Sequence, residues 1–264
     1  MFQWRQSTIG DMLICPERFR RAHVVGEADM NSAASLMGTA VHEAIASGLL
    51  ALLHNGEWYE PQDVARNALI RFQHLVAMDS LEQDPIPWRE GLLDERINDV
   101  ERMAASLWSQ MPGLLERWGG PLSVEHTFSG VPLTPDGIKG QGTWDLLTDK
   151  HVLIDWKTSE KPWPKWKAAK KLQPLVYAQA VEHETGRWPE AFVFIVVTRE
   201  GRVQQLPVNV NRERYRFLEA TLPQLERMRL SNIYPLNPDS ALCSEVYCPF
   251  YNRGCPAKQL KELA

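Results

Sequence analysis

Gly142-Thr-Trp-Asp-Leu-Leu-Thr-Asp-Lys-His-Val-Leu-Ile-Asp-Trp-Lys157 reads as two strands around a turn. Residues two apart on a strand share a face. Asp155 and Lys157 therefore point one way with Leu153, while Val152, Ile154 and Trp156 point the other. Asp145 joins the acidic face only if residue numbers paired across the hairpin sum to an even value. Trp144 and Leu146 then join the apolar face. A two-residue turn at Asp149-Lys150 would pair 148 with 151 and send Asp145 and Asp155 to opposite faces, because a one-residue slip reverses every side chain. The stretch thus predicts a three- or five-residue loop, or a bulge, near 148–151.

Two carboxylates and a lysine on one face are costly to hold as bare charge. A divalent cation between the acids removes that cost, and Mg²⁺ or Mn²⁺ takes hard oxygen ligands such as Asp145 and Asp155. Such an ion polarises a phosphoryl oxygen and acidifies a bound water. Lys157 would orient that water, help deprotonate it, or offset charge developing at phosphorus. The competing reading is a surface hairpin carrying a local Asp–Lys ion pair.

The rest of the chain supports a folded domain around this hairpin. At 264 residues, 44% hydrophobic and 23% charged, it has an ordinary globular composition. The longest apolar stretch, Ala44 to Leu53, is interrupted by Ser47 and Gly48 and reads as a core helix rather than a membrane span. The start, Met-Phe-Gln-Trp-Arg-Gln, lacks the layout of a signal peptide, so a cytoplasmic protein with no membrane partner is expected. A net charge of −4 neither requires nor excludes nucleic acid.

Helical patterns dominate the first 120 residues. Ser7 or Thr8 is expected to cap a short helix that runs into Cys15-Pro16, with Asp11 completing an acidic capping box. Apolar spacing predicts helices over about 35–53, from Pro61 to about Met78, and over 88–117, with Asp84-Pro-Ile-Pro as a linker. Leu122 to Phe128 alternates as a strand. Residues 164–184 are helical in pattern, but Pro174 requires a kink or a start near Gln173. Ala191 to Val197 suits a buried strand, Gly201 to Val208 a neighbour of it, and Asn211 to Leu230 a long helix.

Five motifs in order add a family resemblance. Gly38-Thr-Ala-Val-His42, Gly142-Thr-Trp-Asp145, Asp155-Trp-Lys157-Thr-Ser and Gln173-Pro-Leu-Val-Tyr177 resemble the RecB-like branch of the PD-(D/E)XK nucleases. Cys15-Pro-x-x-Phe19 with three late cysteines resembles its iron–sulfur subgroup, which includes CRISPR-adaptation nucleases, the AddB nuclease domain and phage-encoded exonucleases. The resemblance implies an α/β (α+β) fold: a restriction-endonuclease-like core with a mixed central sheet flanked by helices. It implies one nuclease domain over 1–264, with an iron–sulfur region at 1–34 and 231–264, a helical region at 35–120 and the core at 121–230.

By the same resemblance, His42, Asp145, Asp155 and the Trp156 carbonyl would hold the metal, and Lys157 would be the catalytic lysine. Gln173 and Tyr177, four apart on one helix face, would border the site, and Glu125 would support the ligands. The implied function is a metal-dependent DNA exonuclease preferring single-stranded ends. A catalytically weak DNA-binding or assembly subunit, or a structure-specific endonuclease, is the alternative. Partners would be DNA and the proteins of recombination, replication or CRISPR adaptation.

Cys15, Cys243, Cys248 and Cys255 gather at the two ends of the chain. Soft thiolates select zinc or iron–sulfur clusters. A structural zinc site often shows paired cysteines, and no second pair exists here, so a [4Fe-4S] cluster is favoured with zinc as the alternative. Finally, Lys161, Lys165, Lys167, Lys170 and Lys171 interleave with Trp163 and Trp166, close after Trp156. Lysines neutralise phosphates and exposed tryptophans stack on unpaired bases. The bland reading is a solvated loop whose tryptophans are core.

Overall fold

The structure, a computed structural model, describes residues 2–27, 32–82, 92–245 and 247–262. In chain order its helices are α1 (Gln6–Ile14), α2 (Pro16–Phe19, followed by a π-helical turn Arg20–Val25), α3 (Ala33–Asn55), α4 (Pro61–Glu82), α5 (Leu92–Ser109), α6 (Met111–Trp118), α7 (Lys165–Ala169), α8 (Gln173–Thr185), α9 (Arg212–Leu230) and α10 (Pro256–Glu262). The strands are β1 (Pro121–Pro132), β2 (Lys139–Thr148), β3 (Val152–Ser159), β4 (Ala191–Thr198) and β5 (Val203–Val208). They form one sheet in the order β1-β2-β3-β4-β5. β3 runs antiparallel to β2 and parallel to β4, and β5 is antiparallel to β4. The sheet is therefore mixed, as the resemblance implies.

The chain packs as two compact units. One comprises Met1–Met30, Phe128–Gly142 and Asn211–Ala264. The other comprises Asn31–Thr127 and Thr143–Val210, and β1 and β2 contribute residues to both. The second unit holds the main apolar core. Leu146, Ile154, Trp156, Val193, Ile195 and Val197 of the sheet pack with Val41, Ile45 and Leu49 of α3, Phe72 of α4 and Val100, Leu107 and Trp108 of α5. Each fully buried side chain of this kind contributes about 1.5–3 kcal/mol. Among the described residues α3, with 23 residues, is the helix long and apolar enough to cross a membrane, and its buried face packs into this core.

The hairpin register matches the expectation. Leu146 pairs with Ile154 and Leu147 with Leu153, so paired numbers share an even sum. Asp149, Lys150 and His151 form a three-residue loop closed by the His151 N–H on the Thr148 carbonyl at 2.9 Å, with His151 at φ 61°. A left-handed third residue is the standard geometry of such loops.

Two local expectations are corrected and a third, the helix start at Gln173, is met. The α1 N-cap is Arg5: Thr8 sits at the third helical position, where its Oγ1 accepts the Arg5 N–H at 2.8 Å. Of the expected helix over 88–117, residues 88–91 lie outside the described residues and the rest is two helices that part at Gln110, because Pro112 opens α6 and withholds an N–H from a continuous helix. Helix α8 starts at Gln173 with Pro174 in its first turn, where the missing N–H has no helical partner to lose. The proposed linker at Asp84-Pro-Ile-Pro lies outside the described residues.

Close packing of α3 on its neighbours leaves glycine as the fitting residue at two positions. A Cβ at Gly38 would stand 3.1 Å from Thr158 Oγ1 of β3, and one at Gly48 would stand 2.5 Å from the Trp108 ring. Trp108 is fully buried and its Nε1–H donates to the Tyr59 carbonyl at 2.7 Å, so it cannot swing aside freely. Gly48→Val is expected to destabilise the fold by about 1–3 kcal/mol in urea denaturation. Gly113→Ala, with open space at the Cβ and a helical backbone, is expected to be neutral or to stabilise by up to about 1 kcal/mol.

Candidate active site

The register carries Asp145 directly across from Asp155, and both carboxylates are buried, at 7% and 1% exposure. The Trp156 N–H donates to Asp145 Oδ2 at 2.7 Å. Lys157 Nζ lies 2.5 Å from Asp155 Oδ2, and Gln173 Nε2 donates to Asp155 Oδ1 at 2.5 Å. His42, brought in by α3, places Nδ1 3.4 Å from Asp145 Oδ2, and its ring also hydrogen-bonds the backbone of Trp156. The Gly38 notch lets α3 approach β3 closely one helical turn before His42.

The structure gives Glu125 a more direct place than the supporting one expected. Donor atoms of His42, Glu125 and Asp145 all lie within 4.8 Å of one another. Glu125 sits on β1 with φ 49°, an uncommon conformation for a residue with a side chain. Strained positions of this kind cluster where a side chain must be aimed. Spacing alone could not reveal this position, since an irregular strand residue leaves no periodic mark.

Burial and like charge explain the titration of the group. Desolvation pushes Asp145 up to about 6. Desolvation and the neighbouring Asp145 push Asp155 to about 6, against the pull of Lys157. Desolvation, with Asp145 and Asp155 nearby, raises Glu125 to about 8. His42 falls to about 4, through desolvation and the charge of Lys157, and so presents a neutral imidazole. Burial opposes the charge on Lys157, but Asp155 and Asp145 carry its pKa above the usual lysine value. Tyr177, buried and hydrogen-bonded to Gln173, is raised by desolvation and by Asp155, so it keeps its phenolic proton. Gln173 thus links Tyr177 to Asp155.

One imidazole nitrogen and the carboxylate oxygens of the buried Asp145 and the exposed Glu125 form a donor set that fits Mg²⁺ or Mn²⁺. His42, Glu125 and Asp145 are the side chains whose donor atoms come together to hold it, with the Trp156 backbone beside them; Asp155, expected as a ligand, stands outside that group and is engaged by Lys157 and Gln173.

The basic stretch is less uniform than expected. Trp163 is buried. Its N–H donates to Gln204 Oε1 at 2.7 Å and its Nε1–H to Ser159 Oγ at 3.2 Å, so it is a core side chain like Trp156 rather than a stacking platform. Trp166 is 62% exposed, with Lys170 Nζ 5.2 Å above its ring. Lys161, Lys165 and Lys170 are exposed, whereas Lys167 and Lys171 are half-buried and lie 4.3 and 5.5 Å over the Trp163 ring.

The four cysteines come together in the other unit, where Cys15, Cys243, Cys248 and Cys255 all line one pocket with Arg18, Arg21 and Phe250.

The buried acids yield a pH prediction. Asp155 titrates near 6 in the fold and near the ordinary aspartate value of about 4 when unfolded. Its ionisation therefore costs stability, increasingly from pH ~4 to ~6 and constantly above. Without metal, Asp155→Asn is expected to stabilise the protein by about 2–3 kcal/mol above pH ~6, the gain fading toward pH ~4. Urea denaturation in chelator across this range measures it. A pH-independent difference would show that Asp155 ionises without penalty.

Comparison with known proteins agrees with this geometry. The sequence matches the PD-(D/E)XK nuclease superfamily over residues 3–256. No curated protein matches it. Among solved structures, a "Putative exonuclease" from Eubacterium rectale shares the fold with a TM-score of 0.61, covering 95% of this chain and 88% of its own at 14% identity. The crystal structure of SSO0001 aligns over 96% of this chain and 94% of its own at 16% identity, but its TM-score of 0.34 carries no argument. The two acids and the lysine on adjoining strands thus have their setting: the chain belongs to the PD-(D/E)XK nuclease superfamily.

Proposed function

We propose that the protein is a Mg²⁺- or Mn²⁺-dependent DNA exonuclease of the cytoplasm that acts on single-stranded ends. The observation that carries this reading is the convergence of His42, Glu125 and Asp145, whose donor atoms lie within 4.8 Å of one another, beside the buried Asp155 with Lys157 Nζ held against it. A bound divalent ion would supply the Lewis acid that polarises the scissile phosphate and acidifies a water. His42 contributes a neutral nitrogen, and the Trp156 N–H fixes the orientation of Asp145. Gln173 fixes Asp155 and is itself held by Tyr177. Lys157, charged and partly exposed, is placed to offset negative charge developing on the phosphoryl oxygens. Lys161, Lys165 and Lys170, with Trp166 among them, offer cations and one aromatic face to a single strand.

The same reading assigns the cysteines to a [4Fe-4S] cluster. Burial raises the Cys243 and Cys248 thiols, and neighbouring thiols raise them further, so a cationic centre would favour their thiolate forms.

End-labelled linear single-stranded DNA with Mn²⁺ is expected to shorten progressively, with circular single strands resistant. Asp155→Ala, Lys157→Ala and His42→Ala are each expected to cut the rate by roughly 10²-fold or more. Equal activity in these variants, or none in the parent, would favour a DNA-binding module that has lost catalysis. Glu125→Gln is expected to weaken Mn²⁺ affinity about 10- to 100-fold in calorimetry, and an unchanged affinity would return Glu125 to a supporting place. Protein purified without oxygen is expected to hold about four iron and four sulfide per chain. Stoichiometric zinc instead would overturn the cluster.

A further inference from the structure

Arg21 is a buried cation that the nuclease chemistry does not use. It is 8% exposed and lies on the π-helical turn that follows Cys15-Pro16 and α2. π-Helical turns are rare and frequently found at functional sites. The guanidinium reaches across more than two hundred residues of sequence. Its Nη1 donates to the Phe250 carbonyl at 3.3 Å and its Nη2 to the Arg253 carbonyl at 2.8 Å. Both carbonyls belong to the turn between Cys248 and Cys255. The same guanidinium stands 4.9 Å over the Phe250 ring, which is fully buried. Nε and Nη2 hold Glu27 with a fork of bonds between 2.6 and 3.0 Å. Arg21 also lines the cavity that the four cysteines share, and its charge acts on Cys255.

Two physical consequences follow. A planar, rigid fork that takes two carbonyls and a carboxylate at once fixes the distance between its own helix and the cysteine turn. A fixed charge beside sulfurs also biases how readily the centre they hold takes up an electron, and hydrogen bonds and charge near the sulfurs are among the protein's means of tuning it. Arg21 and Glu27 act there as a pair of opposite sign.

We propose that Arg21 is the positioning residue of the cysteine cavity. It ties the Cys248–Cys255 turn to the helix that follows Cys15 and, balanced by Glu27, sets the charge beside the iron–sulfur centre. This inference rests on the cluster reading above, while the clamp itself concerns only this chain's own groups.

The test uses the full chain purified without oxygen, in three variants: Arg21→Gln, Arg21→Lys and Glu27→Gln. Iron loss to a chelator and the midpoint potential in a dithionite titration are read for each. Arg21→Gln removes the fork and leaves Glu27 uncompensated, so iron loss is expected to be roughly ten-fold faster and the potential more negative. Arg21→Lys keeps the charge without the fork, so iron loss quickens and the potential stays near the parent value. Glu27→Gln keeps the carbonyl clamp and removes a negative charge, so iron is retained and the potential moves positive. Retention and potential equal to the parent in all three would overturn the proposal. So would potentials that move together in one direction, which a purely structural loosening would give. A parent chain without iron would instead sink the cluster reading. The clamp is then read from alkylation of the metal-free protein: Cys248 and Cys255 are expected to react several-fold faster in Arg21→Gln, and equal rates would overturn the clamp as well.

Discussion

Asp145 faces Asp155 across a hairpin whose register admits no slip. The apolar alternates of the same strands, Leu146, Ile154 and Trp156, are locked into the core against α3 and α5. Sliding β2 by one residue would turn Trp144 and Leu146 away from the face they share with Ile154 and Trp156 and put Asp145 into the apolar core in their place. The apolar core therefore holds the two carboxylates together. The three-residue loop with His151 in the left-handed region is the local means of reaching that register.

Having been forced together, the acids must be tolerated. Each neighbour of the pair answers part of the cost. Lys157 and Gln173 meet Asp155, and the Trp156 N–H meets Asp145. What remains uncompensated appears as raised carboxylate pKa values and a depressed histidine. A site whose acids hold protons more tightly than ordinary carboxylates, for want of a better cation, is prepared for a divalent one. Strain is accepted for the same end at Glu125, whose backbone gives up ordinary strand geometry. The unit that holds both chain ends shows the same logic in softer chemistry, with four thiols sharing a cavity beside the buried Arg21 guanidinium.

Much of this was legible in the residues. Period-two alternation in 142–157 and the requirement for an even register led to the loop length and the shared acidic face. Pro174 announced the start of α8, and Asn211 the start of α9, whose Arg214 N–H its side chain caps at 2.9 Å. Other features left weaker marks. Pro112 divides the long helix, yet its apolar stripe runs on across the break, so periodicity alone reads one helix. Trp163 and Trp166 are indistinguishable by composition. Only burial against Phe194 separates the core ring from the exposed one.

By itself the sequence determined which residues could carry chemistry, which elements they ride on and which face of the hairpin they share, because local periodicity and turn chemistry act over a few residues. Tertiary structure alone decided what meets what across long separations. It brought His42 to Asp145, turned Glu125 into the donor set through a backbone irregularity, and tied Arg21 to the carbonyls of Phe250 and Arg253. Those contacts depend on how helices pack against a sheet and how distant loops close. Packing of that kind is a property of the whole core and leaves no spacing in the chain to be read.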